Sequence, residues 1–392
     1  MAREWLLLSA SVVVTLTIGV ALLRWLAPDL LAGSPDLRIV RASEELPPFY
    51  EGVFRDRGEG EFIVNDPYTL VRARALIPSG EHENRGPTDL LGFRNRSVPN
   101  RVDVLVIGDS QTYGINVGLD ENWPSRLQAG LRDPDTVVYS MAFGGWGAVQ
   151  YLDMLEKGRA FAPRVAVIAF YSGNDAMESF RLAYGVDRWE SLRVDESLTL
   201  DDRPRLKDWL SRGDWGTQLP SGPRLSFTPA RRLYSNHRSP VVDAGWAIMA
   251  EAAQRMAVVA RETEIALVFT IVPTKELAYA ARLAAERVVA PQAYLDLIQI
   301  ESARIAALAE RLTALSGTTY VDLVAPLQAE VAEGRETHPR SVQGHPSALG
   351  YERIAARLRP AVEAALSEPR EGRDRDHPRK HDPDGAPGQP YH

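Results

Sequence analysis

Four short β-branched apolar runs stand out along the chain, VDVLVI (102–107), RVAVIAFY (164–171), IALVFTIV (265–272) and TTYVDL (318–323), with a weaker fifth at DTVVYS (135–140). They are rich in β-branched residues and lack the alternation that would leave one face in water. Runs of this kind predict strands covered on both faces. Between them, apolar residues recur at three- and four-residue spacing over 120–132, 147–159, 242–262, 276–288, 292–315 and 347–366, which predicts amphipathic helices. Strands alternating with helices imply a parallel sheet with helices packed on both sides.

Four stretches break this rhythm. Residues 177–240 are polar, rich in Arg and Pro, and carry Trp189, Trp209 and Trp215. Inserted between a strand and a helix, they are expected either to cap the carboxyl edge of the sheet, where open α/β folds bind ligands, or to form a surface excursion with its own small core. Residues 28–87 read as a linker plus an N-terminal extension packed on the main domain, 88–366. The tail, 367–392, is charged and rich in Pro and Gly, with little to bury, and is expected to be disordered. At the other end, Trp5 to Leu23 is 19 residues without a charge. At ~1.5 Å per residue it nearly spans a ~30 Å hydrocarbon core. A cleaved signal would have a shorter apolar region and a small-x-small cleavage site, and LLAG at 30–33 fits that poorly. The expectation is one transmembrane anchor at 5–27 carrying a large domain on the extracytoplasmic side.

Composition narrows the chemistry. Formal net charge is −7, so no global basic field draws the chain to nucleic acid. The absence of cysteine excludes disulfides, thiol catalysis and cysteine-based metal sites. There is no P-loop, no GxGxxG after a strand, and no His/Asp cluster at ligand spacing, so no cofactor or metal is expected.

The candidate chemistry lies at element ends. Ser110, in GDSQTYG, follows the first strand; alone, Gly-Asp-Ser reads as a turn. YSMAFGGWG (139–147) follows the second strand, and its successive glycines let a backbone approach a ligand closely. FYSGNDAM (170–177) ends the third strand and offers the Asn174 amide. GHPSALGY (344–351) places His345 just before Ser347, an N-cap-like residue opening the last helix. A histidine there can reach a serine across the sheet edge and act as its general base.

In this order, GDSQT, Gly144–Gly145, SGND and HPSALGY resemble the blocks of the SGNH (GDSL-like) hydrolase family, over roughly residues 88 to 366. LGFRNR (91–96) is similar to an element that precedes the first block in many exported bacterial members. The resemblance implies a flavodoxin-like three-layer α/β/α fold with a parallel, mostly five-stranded sheet. It implies Ser110 as nucleophile and His345 as base. The Ser110 and Gly145 backbone N–H groups and the Asn174 side chain would form an oxyanion hole. The family usually places an aspartate two or three residues before the histidine, where this chain has Val342 and Gln343. A glutamine oxygen can orient the imidazole but brings no negative charge. Three explanations stand open: a Ser-His dyad helped by Gln343, a remote acid such as Glu336 or Asp322, or a site converted to binding. A Glu336–His338 pair also imitates the acid-x-histidine spacing. The expected function is a serine esterase removing acyl groups, acetyl above all, from a glycan or small ester. The alternatives are an O-acyltransferase acting on a cell-surface polysaccharide and a non-catalytic glycan binder using Trp146, Trp189 and Trp215.

Overall fold

The computed structural model describes residues 63–368, except 67–68, 79–85, 206–207 and 210–211. The expected anchor at 5–27, most of the 28–87 extension, and the tail beyond residue 368 lie outside the described residues. Among the described residues, no helix is long and apolar enough to cross a membrane.

The strands are β1 (Ile63–Asp66), β2 (Leu70–Ala73), β3 (Val104–Gly108), β4 (Val138–Ala142), β5 (Val165–Tyr171), β6 (Trp215–Gln218), β7 (Arg224–Phe227), β8 (Ala266–Val272) and β9 (Thr318–Asp322). The helices are α1 (Ser110–Tyr113), α2 (Trp123–Gly130), α3 (Ala148–Gly158), α4 (Asp175–Gly185), α5 (Pro229–Leu233), α6 (Pro240–Glu262), α7 (Lys275–Ala285), α8 (Gln292–Ala314), α9 (Val324–Ala332) and α10 (Ala348–Ser367). β4, β3, β5, β8 and β9 form one parallel sheet in that order. The expected flavodoxin-like, five-stranded parallel architecture is what the chain adopts.

Burial follows the sheet order. Every residue of β3 and β5 is buried, whereas the edge strand β9 is mostly half-exposed. Side chains alternate between the two faces. Val104, Val106, Val165, Val167 and Val268 share a cluster with Trp123 and Leu127 of α2 and Tyr351, Ile354 and Leu358 of α10. Intervening positions take the other face, where Phe170 stacks on Phe269 with ring centroids 5.9 Å apart and meets Tyr151 of α3 at 5.8 Å. The chain leaves β3 for β4 on one side and returns to β5 on the other. That reversal opens a crevice at the carboxyl ends of β3 and β5, where such folds place ligands.

One segment differs from expectation. The first turns of the stretch taken as cap-like, 177–240, belong to α4, which packs along α6. Its sequence, DAMESFRLAYG, mixes charge with small apolar residues and hides its buried face from a periodicity count. The excursion proper follows Val186 and includes the β6–β7 hairpin, whose Leu225 and Phe227 are buried in the main core. The described residues ahead of 88 pack on the main domain. Ile77 N–H donates to Thr88 Oγ1 at 2.9 Å, Leu76 N–H to Asp89 O at 3.1 Å, and Trp146 Nε1 to Val71 O at 2.8 Å. β2 and its flanks are therefore part of the domain. Trp146 and Trp189 are buried, so neither is available to stack on a sugar; Trp215 is packed against Phe227 and Tyr294.

The LGFRNR element has a structural task. Arg94 is buried and donates to the carbonyls of Tyr113, Gly114 and Val117, the loop that follows α1. Arg94→Met leaves these carbonyls without their donor, at about 1–3 kcal/mol for each one left unsatisfied. We expect urea unfolding to show a loss of roughly 3 kcal/mol; a change under about 1 kcal/mol would show that water replaces the guanidinium.

Candidate functional site

Ser110 opens α1 at the end of β3, and Asp109 before it caps the turn, its Oδ1 accepting from Gln111 N–H at 2.8 Å. His345 arrives from the far end of the chain on the loop before α10. Its Nε2 lies 2.8 Å from Ser110 Oγ, and its Nδ1 lies 2.7 Å from Gln343 Oε1. The same Oε1 accepts from Gly344 N–H at 3.1 Å. A backbone N–H only donates, so this bond identifies the end of the Gln343 amide that faces the ring as its oxygen. His345 Nδ1 must therefore carry the proton. Nε2 is left bare and accepts from the Ser110 hydroxyl. A neutral amide thus sets the imidazole tautomer that a serine nucleophile requires.

The other sequence candidates fall into place around this contact. Gly145 lies at φ +74°, a left-handed conformation suited to glycine, and lines the same pocket as Ser110 and His345. Asn174 also lines it; its side chain does not cap α4 and is left for another partner. The Asn174 turn is held from below. Ser172 Oγ donates to Glu301 at 2.6 Å, and Asn236 Nδ2 donates to Ser172 O at 2.9 Å. The remaining acids do not stand behind His345. Glu336 is half-buried and pairs with Arg340 at 2.6 Å, and Asp322 caps the start of α9 through Val324 N–H. His338 is buried with its Nε2 unpartnered, and burial drives its pKa well below the usual imidazole value. Of the three explanations for the missing aspartate, the geometry matches a dyad oriented by Gln343.

Sequence reasoning missed Lys275, the first residue of α7. It is fully buried, and its Nζ donates to Ser226 O at 2.8 Å and to Pro339 O and Ser341 O, both at 2.6 Å. Pro339 and Ser341 belong to the irregular loop that delivers His345. Burial pushes the ammonium down to about 8. A lysine opening an amphipathic helix carries no sequence signal for this role.

The pocket has a volume of about 250 Å³. A larger groove of about 540 Å³, between residues 94–99 and α2, has no histidine in its lining. Below the pocket lie two buried carboxyls, Asp109 and Asp175. Burial raises Asp109 to about 7, and burial together with the nearby Asp109 raises Asp175 well above the ordinary carboxylate range. Asp109 Oδ2 lies 3.1 Å from Ser110 Oγ. The serine has one hydroxyl proton and two acceptors within reach. Protonating Asp109 removes the competitor and leaves that proton to His345 Nε2.

No protein-family model matches the chain, and no curated protein does. Similar solved structures include TesA, at 14% identity and TM-score 0.33, covering 67% of this chain and 98% of that one. A putative lipolytic protein of the G-D-S-L family from Desulfitobacterium hafniense shows 12% identity and TM-score 0.33, covering 66% and 97%. A catalytic mutant of Axe2, an acetylxylan esterase from Geobacillus stearothermophilus, shows 11% and 0.36, covering 68% and 96%. At these identities and TM-scores the likeness assigns neither activity nor substrate.

The raised Asp109 value has a consequence for stability. Unfolded, the carboxyl releases its proton near 3.8; folded, it holds it to about 7. Between those values the folded state binds more protons, so stability falls as pH rises, by about 1.4 kcal/mol per pH unit, and the penalty is complete above 7. Asparagine avoids the charge and can still accept from Gln111 N–H. We expect Asp109→Asn to melt like the parent at pH 4 and increasingly above it towards pH 8. A difference constant across pH would show that Asp109 ionises normally in the fold.

Proposed function

We propose that the protein is a serine esterase that removes a short acyl group, acetyl above all, from a carbohydrate or small ester. The 2.8 Å contact between Ser110 Oγ and a correctly tautomerised His345 Nε2 carries this reading. Ser110 Oγ attacks the ester carbonyl carbon while its proton passes to His345 Nε2. The carbonyl oxygen becomes an oxyanion, for which the Gly145 N–H, the Asn174 amide and the Ser110 N–H are the candidate donors; losing one such donor typically costs ~10²–10³ in rate. His345 returns the proton to the leaving alcohol, leaving an acyl-serine. A water, deprotonated by the same Nε2, then releases the acid and restores the hydroxyl.

The small pocket supports a short acyl chain: about 250 Å³ lies below the ~300–1,000 Å³ range of pockets that take drug-sized ligands. The uncharged run from Trp5 to Leu23 supports a membrane-tethered enzyme with this domain on the extracytoplasmic side.

A serine-directed fluorophosphonate tests the nucleophile. We expect one label, at Ser110, absent in Ser110→Ala; a folded protein that takes no label there would sink the esterase reading. Substitutions at 343 test the amide. Gln343→Asp restores a charge behind the imidazolium and should leave kcat/KM for p-nitrophenyl acetate equal or higher. Gln343→Leu removes the acceptor that sets the tautomer and should cost up to ~10⁴. A large loss in the aspartate variant, or none in the leucine variant, would refute this role for Gln343.

A further inference from the structure

The active-site pocket carries more positive charge than ester cleavage requires. Consecutive arginines of α5, Arg231 and Arg232, line it together with Ser110, Gly145, Asn174 and His345. The Arg232 side chain is only 12% exposed, yet among the described residues no group accepts a hydrogen bond from its guanidinium, and Nε is buried without a partner. Its nearest carboxylate is Glu276, with Oε2 3.8 Å from Nε, beyond hydrogen-bond length. The other Glu276 oxygen accepts from Thr228 N–H at 2.7 Å. The guanidinium lies over the Tyr171 ring, with Cζ 5.6 Å from the centroid. It also packs so closely on Gly344 that a Cβ there would stand 2.1 Å from Nη2. That glycine separates Gln343 from His345, so the cation is beside the reacting groups.

A simpler role for Arg232 would be to neutralise the buried acids around it. A counter-ion in that role meets its carboxylates through hydrogen bonds, since a guanidinium has five donors in a fixed fork. Here the fork has no acceptor, and its buried Nε–H is left without a hydrogen bond, which burial penalises. The acid on the pocket wall, Glu178, is already paired with Arg181 at 3.0 Å. Glu276 Oε2, buried without a hydrogen-bond partner of its own, balances Arg232 only at ion-pair distance, and among the described residues the exposed Arg231 on the same wall has no carboxylate partner.

We propose that Arg232, with Arg231, forms an anion subsite of this pocket, and that the ester accepted at Ser110 carries a carboxylate close to its acyl group, as an acylated acidic sugar does. The proposal rests on the esterase reading for the identity of the reacting group. A free inorganic anion presents similar chemistry to the arginines, and the experiment separates the two.

Binding is measured by calorimetry on the full chain with Ser110→Ala, so that hydrolysis plays no part. The probes are an O-acetylated glucuronic-acid oligosaccharide, its neutral O-acetylated xylo-oligosaccharide counterpart, and sodium phosphate. The acidic sugar should bind at least ~10-fold more tightly than the neutral one. Adding Arg232→Gln should remove most of that preference, a loss of ~10–100-fold, as for one charge-assisted pair. Arg232→Lys should restore it only in part, because an ammonium cannot offer the fork. Equal binding of the two sugars overturns the proposal, as does a preference that survives in a folded Arg232→Gln protein. Phosphate binding as tightly as the acidic sugar and displacing it also overturns it, in favour of a free-anion site. The acid-to-neutral ratio in the Ser110→Ala protein decides the matter even if Arg232→Gln does not fold. Preferential acid binding in a protein that takes no fluorophosphonate label would retire the esterase reading and keep the subsite.

Discussion

The site depends on two buried cations that hold backbone carbonyls. Ser110 and His345 are 235 residues apart in sequence, and each sits next to a loop with little regular hydrogen bonding of its own. Arg94 gathers three carbonyls from the loop after Ser110, and Lys275 gathers three from the hairpin and the loop before His345. An ammonium has three donors, and all three of Lys275 are used, which is what makes its burial tolerable. Beyond the Lys275 clamp, Ser347 N–H donates to Thr337 O at 2.9 Å and Ser347 Oγ to Glu336 O at 2.8 Å. His345 is therefore fixed from both sides of its own loop. A hydrogen bond across the mouth of a sheet can be short only because neither end is free to drift.

Much of this was legible in the sequence, for reasons that differ by element. The inner strands β3, β5 and β8 are almost wholly apolar because they are covered on both faces, and that covering leaves a continuous signal. α6, α8 and α10 are long, so their periodicity accumulates. α4 and α9 are short and carry small or mixed residues, and the hairpins β1–β2 and β6–β7 have four-residue strands, too brief to establish a period. Ser110, Gly145, Asn174 and His345 could be read because each sits where an element ends, so local sequence announces it. Lys275, Arg232 and Glu301 act through contacts made only after the sheet assembles. Nothing near them in sequence distinguishes them from the other charged residues of a chain in which a quarter are charged.

The same distinction bears on the residue that departs from the family pattern. Read along the chain, Gln343 is a missing aspartate. Read in the fold, it joins a neighbourhood that already buries Asp109, Asp175, Glu276 and Glu301, and burial raises the pKa of Asp109, Asp175 and Glu301. Another carboxylate at 343 would be stabilised by Arg232, whose Nη2 packs on the adjacent Gly344, and would occupy the cation proposed to receive the substrate. A neutral amide avoids that competition. It still supplies the part of the aspartate's work that is geometric, because the Gly344 N–H fixes which end of the amide faces the ring. What it gives up is the charge that stabilises the imidazolium. An anionic group held beside Arg232 would place negative charge near that imidazolium only while substrate is bound. The amide at 343 and a guanidinium whose fork has no hydrogen-bond acceptor therefore belong to one arrangement, in which part of the charge that an aspartate would keep in the enzyme arrives with the ester.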